Sequence, residues 1–431
     1  MTGFRHRTNR RGFLGASAAA GVLALGAGPA RSEETRQLKL GVIGAGWYGM
    51  VDARAALKVG NVEIIAVCDV DRQHLEDAAA ALEKEQGRRP ELFADYRALL
   101  DVKGLDAVII ATPPHWHALQ LMAAVERGLD AYCEKPVAYD VREGRAMVEA
   151  VRKSGRIVQI GFQRRQSPAL REAAAFIKSG GIGQLVQVDA QIHYTAGLLD
   201  PTPQDPPATL DWEAWCGPGP KIPYSPQVGH KSWRLEKTSG HGHLVDWGIH
   251  HIDAIRSYLG LTMPRQITAS GGLYKYAGRI TTPDTLSVHF EFEQLPVHWR
   301  HRLWGATEYD PAVSNGIFFF GDAGTIFASD NRWVVLRPGK DTPPEEHKAE
   351  ADLGKLHMAD FLDAVRTRRA PQCVIEDAYR STATVQLAMI AYETGSVVHW
   401  DEKSENVVDN AAASQLLRRE YRAPWVHPYQ G

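Results

Sequence analysis

The sequence predicts an α/β fold in two parts: a doubly wound parallel sheet, followed by an α/β half built on an open, largely antiparallel sheet. Three observations lead there. From Leu38 to Phe162, short apolar runs alternate with amphipathic stretches of helical length. A GAGWYG hexad stands between the first run and the first of those stretches. From Val186 onward, strict period-two alternation takes over. Alternation of strand and helix implies parallel pairing, and period-two alternation implies an antiparallel sheet with one wet face.

In the first half, Leu38–Ile43, Glu63–Cys68, Ala107–Ala111, Ala131–Cys133 and Ile157–Phe162 read as strands. The stretch after Gly49, Arg72–Glu85, Ala118–Arg127 and Arg142–Lys153 read as helices. In the second half, Val186–Tyr194, Thr285–Glu293 and Val297–Leu303 read as strands. TLSVHFEFE places Leu286, Val288, Phe290 and Phe292 on one side. An open face of this kind suits a partner subunit, so a homo-oligomer through the sheet is expected. Asp200–Pro207 (DPTPQDPP) is a loop by its prolines. Helices at Leu353–Arg368 and Ile375–Thr394 close the second half, and the stretch ending PWVHPYQG reads as an arm packed on a surface.

A chain of 431 residues with 44% hydrophobic content has material for two domains. Its 49 Lys and Arg against 51 Asp and Glu leave a net charge of -2, which offers no basic face for nucleic acid. Cys68, Cys133, Cys216 and Cys373 show no C-x-x-C spacing. Cys68 and Cys133 lie in apolar runs and read as core, while a pairing of Cys216 with Cys373 stays open. At the start, Arg10-Arg11-Gly12-Phe13-Leu14 precedes an Ala/Gly-rich stretch and a small-residue exit near Gly28-Pro29-Ala30. That pattern describes a signal peptide rather than a membrane span, and the paired arginines resemble a twin-arginine (Tat) signal. The Tat route carries folded proteins, so the expected location is periplasmic or otherwise exported.

The hexad is G-x-G-x-x-G between strand and helix. Gly44, Gly46 and Gly49 permit a tight turn, close approach of a pyrophosphate, and close helix–strand packing, with Trp47 and Tyr48 beside them. Asp69 ends the second strand, twenty residues after Gly49, where a carboxylate binds a ribose 2′-hydroxyl and repels a 2′-phosphate. The expected cofactor is therefore NAD rather than NADP. Asp71 and Arg72 follow closely and soften that preference. The divisions expected are 1–34 as signal peptide and linker, 35–156 as a Rossmann NAD-binding domain, 157–400 as the open-sheet domain and 401–431 as the arm. In ATPPHWHA (111–118), Thr112, Pro113 and His117 are candidate cofactor contacts at a strand's carboxyl end. His115 and His117 lack a neighbouring acid or Cys and read as helix-entry residues, so no metal is expected there.

AYCEKPV (131–137) ends an apolar strand in Glu134-Lys135-Pro136. Together GAGWYG, ATPPHWHA, EKPV, GFQRR and DWGIHHID resemble the Gfo/Idh/MocA family of glucose–fructose oxidoreductase, inositol dehydrogenase and relatives, from Leu38 to about Val398. The resemblance implies substrate held between the two sheets, the EKP lysine (Lys135) beside the nicotinamide, and Asp246 and His250 as substrate-binding and acid/base residues. Oxidising a CH–OH group requires a proton acceptor. Beside a cationic pyridinium ring, like-charge repulsion of about 4 kcal/mol at contact distance favours the uncharged amine of Lys135.

If a helix begins near Leu244, Asp246 and His250 are i and i+4 on one face, with Asp253 close by and His251 turned elsewhere. Zinc held by His241, His243, His250 and His251 is the competing reading of this segment; no helix there has a metalloprotease spacing. Gln163 and Arg164 sit at the crossover between halves as further cofactor contacts, Arg164 also toward substrate. Trp212, Trp215, Trp233 and Arg234 offer faces and a donor for a sugar. The expected activity is hydride transfer between tightly held NAD and a secondary alcohol of a sugar or glycoside. Export removes any exchangeable NAD pool, so the cofactor is expected to be recycled in place. Two alternatives stay open: an NAD-dependent glycosidase, which Trp247 disfavours at a position where that branch carries tyrosine, and a non-catalytic sugar- or NAD-binding protein.

Overall fold

The computed structural model describes residues 36–306, 308, 310–339 and 342–431. The expected twin-arginine segment lies outside the described residues. The first sheet has six parallel strands: β1 Leu38–Ile43, β2 Val62–Cys68, β3 Glu91–Phe93, β4 Ala107–Ile110, β5 Asp130–Cys133 and β6 Val158–Ile160. Their order is β3-β2-β1-β4-β5-β6, the doubly wound arrangement whose strand order reverses between β1 and β4. Helices α1 Trp47–Val59, α2 Arg72–Gln86, α3 Tyr96–Leu100, α4 His117–Glu126 and α5 Val141–Ser154 connect them. β4 and β5 are buried at every residue, as a sheet covered on both faces requires.

After α6 (Pro168–Lys178) comes a mixed ten-stranded sheet. Its strands are β7 Leu185–His193, β8 Gln266–Gly272, β9 Thr285–Glu291, β10 Pro296–Arg302, β11 Asn315–Gly321, β12 Gly324–Ala328, β13 Arg332–Leu336, β14 Glu345–Lys348, β15 Val398–Asp401 and β16 Asn406–Val408. The order is β14-β13-β12-β11-β7-β10-β9-β8-β15-β16, antiparallel throughout except for the β7–β10 pair. In β9, Leu286, Val288 and Phe290 are buried and alternate with more exposed residues, as the sequence pattern demands. Helices α7 Trp212–Cys216, α8 Ile249–Leu259, α9 Leu353–Thr367, α10 Ile375–Thr394 and α11 Ala411–Gln415 complete the fold.

Three expectations change, and one open question closes. β3 and α3 were not anticipated, because Glu-Leu-Phe is too short and too exposed to leave an apolar run. A division after residue 156 falls one strand early: β6 belongs to the first sheet and pairs with β5. The helix expected at Leu353–Arg368 does not close the second sheet. Met358, Phe361, Leu362 and Val365 of α9 join Leu40, Val42 and the α1 alanines in the first core, so the chain returns to the domain it left. Cys216 and Cys373 do not pair; all four cysteines are free and buried.

The C-terminal arm is anchored, not loose. Arg419 Nε donates to Glu143 Oε1 at 2.9 Å, and the Tyr421 hydroxyl donates to the same oxygen at 2.9 Å. Trp425 then meets Trp116 edge-on at 5.8 Å.

Candidate active site

Gly44 adopts φ +89°, a conformation that favours glycine, and turns the chain from β1 toward α1. A Cβ on Gly49 would stand 1.8 Å from the Gly44 carbonyl oxygen, so only glycine lets the helix start this close to the strand. Gly46 caps α1 without a side chain, which leaves the first-turn N–H groups facing the groove. Asp69 holds the turn in place: Oδ2 accepts from Ala45 N at 2.8 Å and Oδ1 from Asp71 N at 2.9 Å. These features are the cradle that a dinucleotide diphosphate requires, and they fit the cofactor expected from the hexad.

A cavity of about 1280 Å³ runs from this turn, past Thr112 and Pro113, to Lys135, Asp246 and His250. That exceeds the roughly 300–1,000 Å³ of a single small-ligand pocket, so there is space for a dinucleotide and a second molecule end to end. Gly44, Gly46, Trp47, Tyr48, Asp69, Glu134, Gln163, Arg164, Trp233 and Arg234 also line it. His117 does not. Its ring is fully buried with Nδ1 2.8 Å from Pro136 O and Nε2 2.8 Å from Thr112 O, so it braces the turn below the cavity. Trp212 and Trp215 stack on each other at 4.5 Å in a small aromatic core, and only Trp215 reaches the cavity wall.

At the far end, Lys135 Nζ donates to Asp246 Oδ1 at 2.9 Å and to the Asp246 carbonyl oxygen at 2.7 Å. Arg234 Nε lies 2.8 Å from the other carboxylate oxygen. Burial pushes the Asp246 carboxyl up, but Arg234 and Lys135 outweigh burial and hold it below the usual carboxylate range. The local backbone is unusual: Leu244–Gly248 form a wide π-helical turn before α8 begins at Ile249. Asp246 and His250 are therefore not one α-turn apart on a regular face, as the spacing suggested; the π turn re-aims Asp246 toward Lys135. Gly248 permits this turn to lie against Trp299, 2.7 Å from where a Cβ would stand.

The Lys135 expectation needs correcting in one respect. The amine was expected to face only the like charge of a pyridinium ring, whereas Asp246 supplies an opposite charge at 2.9 Å, an interaction of the same order as that repulsion. His250 is the neutral group at this end. Burial first, then Lys135 and Arg164, hold its imidazole well below the usual histidine range, and its Nδ1 has no hydrogen-bond partner among the described residues.

Arg164 is clamped by Asp330 Oδ1 at 2.6 Å and donates to His251 Nδ1 at 3.3 Å, while His251 Nε2 donates to Asn315 Oδ1 at 2.8 Å. Asp253 is not part of the centre; it pairs with Arg165 and accepts from Ser381. His241, His243, His250 and His251 do not converge as a ligand set among the described residues.

Two groups were missed by sequence reasoning. Asp330 lies in a loop with no motif. Asp52 is a lone acid on the apolar face of α1, three residues after Gly49; burial and then Glu134 raise its carboxyl far above the ordinary value. Its position inside an otherwise apolar helix face was the available signal. Glu134 is pushed up to about 7 by burial, against the lowering influence of Lys135 and of the Gln163 amide, whose Nε2 donates to Oε1 at 2.7 Å.

A glycine-cradled groove that ends on a half-buried lysine, a buried aspartate and a neutral histidine defines a nicotinamide-dependent oxidoreductase. Three family models match the chain in sequence order: an oxidoreductase-family NAD-binding Rossmann fold over residues 38–162, a GFO/IDH/MocA C-terminal domain over 221–327, and an oxidoreductase-family C-terminal alpha/beta domain over 341–427. The protein belongs to the Gfo/Idh/MocA family of oxidoreductases.

Among its relatives, the uncharacterized oxidoreductase YrbE of Bacillus subtilis is 25% identical over 381 residues, 84% of this chain and 97% of that protein. Inositol 2-dehydrogenase 4 of Saccharopolyspora erythraea is 35% identical over 151 residues, which span 35% of this chain and 43% of that enzyme. The aldose-aldose oxidoreductase of Caulobacter crescentus, solved with glycerol, shares the fold at a TM-score of 0.66 and 19% identity, over 84% of this chain and all of that one.

Proposed function

We propose that the protein oxidises a secondary alcohol of a sugar, cyclitol or glycoside, with NAD as the hydride acceptor. The observation that carries this reading is the meeting of Lys135 and Arg234 on Asp246, in a cavity that His250 and the GAGWYG turn also line. Bound NAD supplies a hydride acceptor at that end. The Lys135 ammonium and the Arg234 guanidinium donate toward the substrate oxygens and hold Asp246 ionised. Asp246 orients them and offers a carboxylate to a neighbouring hydroxyl. His250, neutral at working pH, takes the hydroxyl proton. Arg164, fixed by Asp330 and His251, presents its remaining N–H groups to the same space. The similarity to an inositol 2-dehydrogenase supports a polyhydroxylated substrate.

The reading extends to location and turnover. RRGFLG near the start supports Tat export. An exported enzyme keeps the NAD it folded with, and a second carbohydrate, or the first one returning, regenerates it. The open face of the second sheet joins copies of the chain into a homo-oligomer. The test is incubation of the purified, cofactor-loaded protein with a panel of C-deuterated sugars, cyclitols and glycosides. The expected result is label on the bound nicotinamide and then on a second carbohydrate. A protein purified without nicotinamide ends the recycling reading; absence of label from the whole panel ends the oxidoreductase reading of the substrate class.

A further inference from the structure

A second cluster of chemistry-bearing side chains lies at the opposite end of the groove. Asp71 caps α2, and its Oδ1 accepts from Gln73 N at 2.9 Å. Its Oδ2 faces His230, 3.3 Å from Nε2. His74, one turn into α2, packs its ring against that of His230 with centroids 4.5 Å apart. One donor atom from each of the three lies within 4.8 Å of the others. His230 holds φ +46°, a left-handed conformation uncommon outside glycine, at the position where its imidazole meets Asp71.

The segment that carries His230 spans the groove. Gly229, His230, Lys231, Trp233 and Arg234 all line the cavity. His230 fastens the strap to Asp71, Lys231 lies 4.8 Å from the centroid of the Trp47 ring in the glycine turn, and Arg234 reaches Asp246 at 2.8 Å. His74 stands beside Gly46, 3.7 Å from where a Cβ would be, so the cluster borders the diphosphate cradle.

We propose that Asp71, His74 and His230 form a site for a divalent transition-metal ion of the zinc type, which pins the Gly229–Arg234 strap across the diphosphate stretch of the cofactor groove. Two imidazoles and a carboxylate are a donor set that Zn²⁺ takes at bonds of about 2.0–2.2 Å. A tetrahedron with such bonds has edges of roughly 3.3–3.6 Å. The 3.3 Å between Asp71 and His230 matches that edge and is longer than a charge-assisted hydrogen bond of about 2.7–2.9 Å. The half-buried imidazoles leave a path for the ion, and a fourth position is left for water or a phosphate oxygen. The comparison within the molecule is the Asp140, Glu143 and His427 cluster. There the cationic role is already filled, because Arg419 pairs with Glu143, so that cluster holds the arm and takes no ion.

The inference rests on the cofactor groove and not on the choice of substrate, and its readouts are metal content and cofactor release. Untagged, NADH-loaded protein is stripped of metal with a chelator, titrated with Zn²⁺, and followed by calorimetry, metal analysis and the rate at which bound NADH is displaced. The expected result is one Zn²⁺ per chain and NADH release slowed by about tenfold or more. In His230→Ala and in His74→Gln, each a partly exposed position, Zn²⁺ affinity falls by about tenfold or more and the metal no longer affects release. Absence of uptake, uptake undiminished in both variants, or uptake that leaves the NADH release rate unchanged overturns the proposal.

Discussion

Lys135 and Asp246 meet across 111 residues of chain, the amine bonded to both the carboxylate and the carbonyl oxygen of the same aspartate. The contact ties the end of β5 to the π turn before α8 by a partly buried ion pair. Replacing Lys135 with Met keeps the stem and removes the charge. Hydride transfer is expected to fall by about 10²–10⁴-fold in single-turnover kinetics. Asp246→Ala leaves Lys135 and Arg234 as unneutralised neighbours and is expected to destabilise the fold by about 3–5 kcal/mol in urea unfolding. Wild-type turnover in the Lys135 variant would remove that residue from the chemistry.

Glu134 gives stability a pH dependence opposite in sign to that of a salt-bridged acid. Burial raises its folded-state value to about 7, above the value of an unfolded glutamate. The folded chain therefore binds the proton more tightly. Its stabilising contribution is complete below about 4.5 and is lost as pH rises through about 7, a change of roughly 3 kcal/mol. Glu134→Gln is neutral at every pH. The stability difference between wild type and this variant should thus shift toward the variant between pH 5 and pH 8, measured by urea unfolding of the cofactor-free protein. A difference that stays flat across that range contradicts the assignment.

The first sheet was legible because its central strands are buried on both faces and leave unbroken apolar runs, as in AVII of β4. α10 was legible to the residue, since Ile375–Thr394 is long and uninterrupted. β3 and β14 were not: one is three residues long, and the other, Glu345–Lys348, is exposed at every position and carries no alternation. At the site, the glycine turn and Asp69 carried local signatures, while Lys135, Asp246 and His250 were singled out by the family resemblance. The pairing of Arg164 with Asp330 could not be seen, because an ion pair between distant segments has no spacing to read. The π turn at Asp246 was hidden as well: the contact of Gly248 with Trp299, which the turn accommodates, joins distant segments and has no spacing to read.

His250 should keep its neutral form throughout the working range. Burial, Lys135 and Arg164 all disfavour the imidazolium. Its ring resonances, assigned by comparison with His250→Gln, are expected to stay unchanged from pH 5.5 to 8. A midpoint near the ordinary histidine value of about 6.5 would refute this.

Asp69 has two tasks, and a variant should separate them. Its carboxylate is expected to repel a 2′-phosphate, and it accepts from Ala45 N and Asp71 N and so shapes the turn. Asp69→Ser is expected to weaken NAD binding by about tenfold or more, through two lost charge-assisted hydrogen bonds. Affinity for NADP should change far less, because relief of repulsion is offset by the loosened turn. Fluorescence titration with the two reduced cofactors reads both. A gain in NADP affinity as large as the loss for NAD would assign Asp69 to selectivity alone.

Gly161 makes room for the Glu134 carboxyl, and this gives a test that isolates one contact. A Cβ at Gly161 would stand 2.1 Å from Glu134 Oε1, while the glycine's backbone lies in a region open to other residues. The cost of Gly161→Ala therefore comes from collision and not from backbone strain. Overpacking of this kind costs about 1–3 kcal/mol, and here it also forces the carboxyl away from the Gln163 amide that holds it at 2.7 Å. Glu134→Ala removes the colliding group. In the double variant the alanine at 161 should then cost little, so the two effects are expected to be non-additive by about 1 kcal/mol or more in unfolding experiments. Additive losses would mean that the glycine is needed for another reason, and that Glu134 is not held where the carboxyl pocket places it.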